Sequence, residues 1–267
     1  MRRGRASAPA RLYGATSLAD SARTVQSRAH VWLDDVMRGQ PARAAALLLQ
    51  DAAVAQSVDS LPFAAGDVVV GLGDSITAST RSWLELLRCL LAARRPLDKI
   101  QIVNAGVSGD TTVHIASRFA AATALGPAWI ICLMGTNDAR RHGAAATKQL
   151  VAPAETARNA ASLRRIASLD TGARWLWLTP PPVVDAARAR RPLPTHAVHF
   201  RPEDAAAAAD AIRSQPGPVL DLDLVFGRPP APDLYEDDGV HPNLLGQMRI
   251  VRALVARLAE ERAAPPT

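Results

Sequence analysis

From Asp67 onward the chain alternates short, almost unbroken apolar runs with longer segments whose apolar residues recur at helical spacing. The short runs are Asp67–Gly71, Ile100–Asn104, Trp129–Met134, Arg174–Leu178 and Val219–Leu222. Strands covered on both faces read this way, because neither face meets water. The longer segments predict helices over Ser82–Arg94, Thr112–Ala122, Glu155–Ser168, Glu203–Ser214 and Leu244–Glu260. Alternation of this kind predicts an α/β fold. It is a three-layer α/β/α sandwich around a central parallel sheet of about five strands.

The part before Asp67 follows a different pattern. The stretch "PARAAALLLQDAAVAQSV" starts at Pro41, where a first helical turn tolerates proline, and is rich in Ala and Leu. Leu61 to Gly66 reads as a linker. Residues 1–28 are rich in Arg, Ala and Ser, show no apolar period and are expected to stay unfolded. The expected organisation is a basic tail over 1–28, a helical extension over 29–60 and the main α/β domain over 61–267. The chain contains no internal repeat.

Charge changes this picture little. The net charge of +6 comes from 31 basic and 25 acidic residues. The tail holds six arginines against Asp20 alone, so it carries +5 and leaves about +1 for the remainder. Aromatic residues make up only 4%, with no basic stripe interleaved among them, so nucleic acid is not an expected partner. The longest apolar runs, such as Ala128 to Met134, are far shorter than the ~18 residues of a membrane span. Met1 to Tyr13 is basic but lacks the apolar core of a secretory signal, and a cytoplasmic location is expected. Two cysteines, Cys89 and Cys132, exclude a disulfide framework, and Cys132 reads as a buried small hydrophobe.

Candidate chemistry begins at "GLGDSIT", which leaves Ser75 at the exit of the first apolar run. Ligands of open parallel sheets bind beyond the carboxyl ends of the strands. A serine hydroxyl is a poor nucleophile without a base to take its proton. Of the six histidines, His241 in "EDDGVHPN" has Asp238 three residues upstream, with Gly239 allowing a tight turn between them. That turn would set the carboxylate on Nδ1 and leave Nε2 for Ser75. An acidic loop capping the last helix is the alternative. An oxyanion would need donors. The Ser75 amide, the Gly109 amide in "NAGVSGDTT" and the Asn137 side chain in "MGTNDAR" are candidates, although Gly109 serves equally well in a plain turn and Asn137 as a helix cap.

Together, "GDSIT", "NAGVSGDTT", "GTND" and "DGVHP" resemble the four blocks of the SGNH hydrolase family, the GDSL-type esterases and lipases. The resemblance covers residues 67–260 and implies a flavodoxin-like fold. Matched position by position, it implies Ser75 as nucleophile and first oxyanion donor, and Gly109 and Asn137 as second and third donors. His241 would be the base and Asp238 the residue that orients it. Asp237 is one residue out of the family's spacing. Ile76 stands where the family's name has leucine, at an apolar position with no chemical part. The implied activity is hydrolysis of a carboxylic ester through an acyl-enzyme, with no metal or organic cofactor. Acyl transfer and thioester hydrolysis use the same residues and stay open. So does a non-catalytic binding module.

Other readings fit less well. "GLGDSI" has Ile76 where a dinucleotide fingerprint needs its third glycine. "GDSIT" lacks the closing glycine of G-x-S-x-G. No His-x-x-x-His or Cys-x-x-Cys spacing suggests a metal site. The expected partner is a small-molecule ester. Arg140, Arg141, His142, Arg188, Arg190, Arg191, His196, His199 and Arg201 flank the expected site; they read either as solvated basic loops with no partner or as a rim that attracts an anionic ester.

Overall fold

The computed structural model describes residues 39–143, 147–186, 188–189 and 198–263. The basic tail, residues 29–38 and the rim residues Arg190, Arg191 and His196 lie outside them. The described elements begin with helix α1 (residues 39–48) and α2 (Ala52–Asp59). Next come β1 (Val68–Gly73), α3 (Ser75–Ala78), α4 (Trp83–Arg94), β2 (Gln101–Gly106), α5 (Thr112–Thr123) and β3 (Trp129–Leu133). They are followed by β4 (Arg141–His142), α6 (Pro153–Asp170), β5 (Arg174–Leu178), β6 (Val198–His199) and α7 (Pro202–Arg213). The last are β7 (Val219–Leu220), α8 (Leu222–Phe226) and α9 (Leu244–Ala263).

Five strands form one parallel sheet in the order β2-β1-β3-β5-β7. The chain leaves β1 for one side of the sheet and then crosses to the other. A crevice therefore opens beyond the carboxyl ends of β1 and β3, where such sheets bind ligands. Alternate side chains of each strand face opposite layers. Ile131 and Leu133 of β3, with Leu176 and Leu178 of β5, pack against Leu87 of α4 and Leu254 of α9. Ile130, Cys132, Trp175 and Trp177 point the other way, toward Phe119 of α5, Leu163 of α6 and Ile212 of α7. Both layers leave the sheet dry, which explains the unbroken apolar runs. The three-layer α/β/α expectation is met.

The first two helices join the same core. Ala44, Ala45 and Leu48 of α1, with Val54 and Val58 of α2, are buried in the cluster that holds α4 and α9. Gln40–Thr267 forms one compact unit.

Three features depart from the sequence reading. The last strand stops at Leu220, because Asp221 turns the chain and accepts the Asp223 amide to cap α8. A two-stranded antiparallel ribbon, β4 with β6, emerges beyond the sheet. And Arg141, expected as a free rim cation, forks onto Asp204, with Nε donating to Oδ2 at 2.5 Å and Nη2 to Oδ1 at 2.8 Å. Gln149 donates to the same carboxylate. The Arg141 charge is thereby matched, and this pair pins the ribbon to α7. Arg188 and Arg201 remain exposed. Among the described residues, no helix is long and apolar enough to cross a membrane.

Candidate active site

The serine sits where β1 ends. Gly71 and Gly73 are required there by space. A Cβ on Gly71 would meet Leu84 Cδ2 at 2.3 Å, and one on Gly73 would meet the Leu133 carbonyl oxygen at the same distance. Gly71 lets β1 pack against Leu84 of α4, and Gly73 lets it pass close to the backbone of β3 and to Thr77. Asp74 then accepts the Ile76 amide and caps α3, so Ser75 is the first residue of a one-turn helix. Burial pushes the Asp74 carboxyl up to about 6, against the opposing pull of that amide. The Ser75 amide, free at the helix start, donates to no backbone carbonyl among the described residues.

The histidine arrives on a tight hairpin before α9. Glu236 N–H donates to the His241 carbonyl at 2.8 Å, Gly239 N–H to that of Glu236 at 3.0 Å, and Gly239 makes the turn at φ +72°. Within the turn, Asp238 Oδ1 accepts the amides of Val240 and His241. Asp238 Oδ2 lies 2.6 Å from His241 Nδ1, and His241 Nε2 lies 2.9 Å from Ser75 Oγ. A carboxylate on Nδ1 places the imidazole proton there and leaves Nε2 as acceptor for the serine hydroxyl. Burial raises the Asp238 pKa, but the bonds from the His241 ring and the two amides outweigh it, and the net shift is downward. The His241 pKa is raised, chiefly by its bond to Asp238 against a smaller opposing effect of burial.

Two further loops open on this rim. Gly109 adopts φ +85°, where side-chained residues are strained. An added Cβ there would meet nothing within 4 Å. Backbone conformation, rather than crowding by other protein atoms, is thus what calls for glycine. Its amide donates to no backbone carbonyl among the described residues. Asn137 is buried, and its Nδ2 donates to the Asp110 carbonyl at 3.0 Å, which leaves a second N–H. Asp110 in turn takes Arg118 Nε at 2.6 Å, and Arg118 Nη2 reaches the Gly73 carbonyl at 3.1 Å.

The sequence reading missed the residues that hold these loops. Asp138, buried beside Asn137, accepts from Thr112 N–H, Thr112 Oγ and Thr156 Oγ at 2.6–2.8 Å. It clamps the starts of α5 and α6 to the β3 loop, although burial raises its pKa. Gln247 on α9 donates to the carbonyls of Ile76 and Pro242 and accepts the Trp83 amide, tying the serine turn to the histidine hairpin. Asn104 donates to the Thr77 carbonyl at 2.8 Å. Of these, Asp138, inside the "GTND" block, and Asn104, which opens the "NAGVSGDTT" block, carried a signal in the sequence, and Gln247 carried none. Among the described residues no group of three or more His, Cys, Asp or Glu is placed to hold a metal ion.

Fold and site together define an SGNH-type ester hydrolase. The family model for the GDSL-like lipase/acylhydrolase family matches residues 72–249, and the chain belongs to that family. Comparison with curated proteins finds no match. Solved structures with the same fold include an α/β hydrolase enzyme from the metagenome of Lake Arreo, Spain. It has 24% identity and a TM-score of 0.58 over 73% of this chain and 96% of that one. The lipase/acylhydrolase from Enterococcus faecalis has 20% identity and a TM-score of 0.58 over the same shares. An acetylxylan esterase from Geobacillus stearothermophilus has 20% identity and a TM-score of 0.56, over 73% of this chain and 95% of that chain.

Proposed function

We propose that the enzyme cleaves carboxylic esters through an acyl-enzyme on Ser75, with His241 as general base and Asp238 as its orienting carboxylate. The observation that carries this reading is the unbroken relay of 2.6 Å and 2.9 Å from Asp238 through His241 to Ser75. His241 Nε2 takes the hydroxyl proton as Oγ bonds the acyl carbon. The amides of Ser75 and Gly109 and the Asn137 side chain stabilise the resulting oxyanion. Breaking of the ester C–O bond then sends the alcohol away with the proton from His241. Water repeats the sequence: it gives its proton to His241, attacks the acyl carbon, and Oγ recovers the proton as the acid leaves.

The direct test is a fluorophosphonate probe. We expect stoichiometric labelling, with the adduct on the peptide that contains Ser75 and none in Ser75→Ala. A labelled Ser79, the other hydroxyl at the cavity wall, would overturn the assignment. Asn137→Ala should lower kcat by roughly 10²–10³ with little change in KM, the usual effect of losing one oxyanion donor. A purely structural Asn137 would lower the melting temperature and leave turnover per folded molecule intact.

The geometry lends less support to an anionic substrate than the sequence did. Arg141 is engaged with Asp204, and Arg81, the cation lining the cavity beside Ser75, is engaged with Glu236.

A further inference from the structure

A cavity of about 210 Å³ opens beside Ser75, walled by Ser75, Arg81, Glu236, His241 and Leu244 among others. Gly109 and Asn137 are not part of its wall. The cavity thus lies on the histidine side of the serine, away from Gly109 and Asn137. The direction matters. His241 Nε2 must deliver its proton to the departing oxygen, so the alcohol half of an ester leaves on the histidine side. At ~30 Å³ for each liquid water, the cavity holds about seven waters, which suits a small alcohol rather than a long chain.

Besides Asp238 and His241, two charged residues lie along this cavity, and the hydrolytic steps use neither. Arg81, between α3 and α4, and Glu236, in the histidine hairpin, meet at 3.1 Å. Their side chains are 32% and 43% exposed. Pairs this open to solvent add roughly 0–1 kcal/mol to a fold, so stability gives little account of them. Beyond their mutual contact, neither side chain makes another hydrogen bond among the described residues. The guanidinium keeps free N–H donors, and the carboxylate keeps free lone pairs. The pair is also balanced in charge, and does not favour an ion of either sign.

We infer that this cavity receives the alcohol half of the ester, and that Arg81 and Glu236 select a neutral alcohol bearing neighbouring hydroxyls, such as glycerol or a sugar ring. A hydroxyl accepts from the guanidinium while it donates to the carboxylate, and two adjacent hydroxyls satisfy both. An alkyl alcohol of the same length strips water from the pair and returns no hydrogen bond. This inference rests on the Ser75 reading above and adds the substrate class.

The test compares glyceryl monoacetate with propyl acetate, which share the acyl group and the three-carbon alcohol. For each, kcat/KM is divided by the alkaline hydrolysis rate, which removes intrinsic reactivity. We expect the wild-type glyceryl-to-propyl ratio to reach about tenfold, the worth of one or two good hydrogen bonds. Arg81→Met and Glu236→Gln should each pull that ratio toward unity. A wild-type ratio near one, or a ratio that neither variant changes, would overturn the inference. Should the variants fail to fold, the wild-type enzyme answers alone. With p-nitrophenyl acetate as acyl donor, glycerol should capture more of the acyl group than equimolar 1-propanol, and an equal split or a propanol preference overturns the idea. Turnover of p-nitrophenyl acetate with no hydroxyl preference refutes only the substrate class. Absence of both turnover and fluorophosphonate labelling refutes the Ser75 reading, and this inference with it.

Discussion

Ser75→Ala is expected to lower kcat for a short chromogenic ester on the order of 10⁶-fold, as loss of a triad nucleophile does. The Ser75 hydroxyl is the group that contacts His241 Nε2, at 2.9 Å. Ser79 also borders the cavity, but no contact links its hydroxyl to the imidazole. A replacement nucleophile is therefore lacking. Some acceleration over water should survive, because the candidate oxyanion donors remain in place. The substitution should cost the fold little. Ser75 is only partly buried and its hydroxyl bonds one partner, which then faces the cavity instead. The measurement is kcat beside the melting temperature of the same preparation. Retention of more than a few per cent of wild-type turnover by a folded variant would refute the assignment.

Asp238→Asn should cost about 10⁴-fold in kcat, and for a different reason. The asparagine oxygen can still accept the amides of Val240 and His241, as Asp238 Oδ1 does now. The hairpin should therefore keep its shape. The other atom becomes an N–H donor aimed at Nδ1. The imidazole must then carry its proton on Nε2, where it cannot accept from Ser75. The pH profile separates this from simple damage. The raised pKa of His241, caused first by its bond to Asp238, places the wild-type acid limb above the ordinary 6.5. Activity needs the neutral ring, so it is present above that pKa and is lost as pH falls through it. Without the carboxylate the largest raising influence is gone, burial outweighs the weaker pull of Asp74 and Glu236, and the limb should move to lower pH. An acid limb that stays in place would mean that Asp238 does not govern the protonation of His241.

The two kinds of site residue differ in how legible they are from sequence. Ser75, Asn137 and the Asp238–His241 pair stand at strand exits or before a helix, and the apolar runs marked those places. Asp238 and His241 are also close in sequence, so a local turn suffices to join them. Gln247 gave no such sign. It works through the carbonyls of Ile76 and Pro242 and the amide of Trp83, and a backbone partner has no signature in the sequence. Asn104 opens the "NAGVSGDTT" block, but its partner, the Thr77 carbonyl, is hidden for the same reason. Arg141 shows the converse error. Its neighbours in sequence are basic, and the carboxylate that matches it comes 63 residues later on α7. Two-residue strands such as β4 and β6 are too short for any periodicity to show.

The ties made by Asn104, Gln247, Asp138 and Arg118 join all four site loops through the chain's own side chains. Folding itself therefore bears the entropy of arranging them. An incoming ester meets loops with little left to order, and its binding energy stays available for the step that bends the carbonyl toward tetrahedral geometry. The same rigidity has a cost in versatility. A substrate of the wrong outline finds few loops free to reshape around it, so new specificities should arise through side chains on the cavity wall rather than through movement of the backbone.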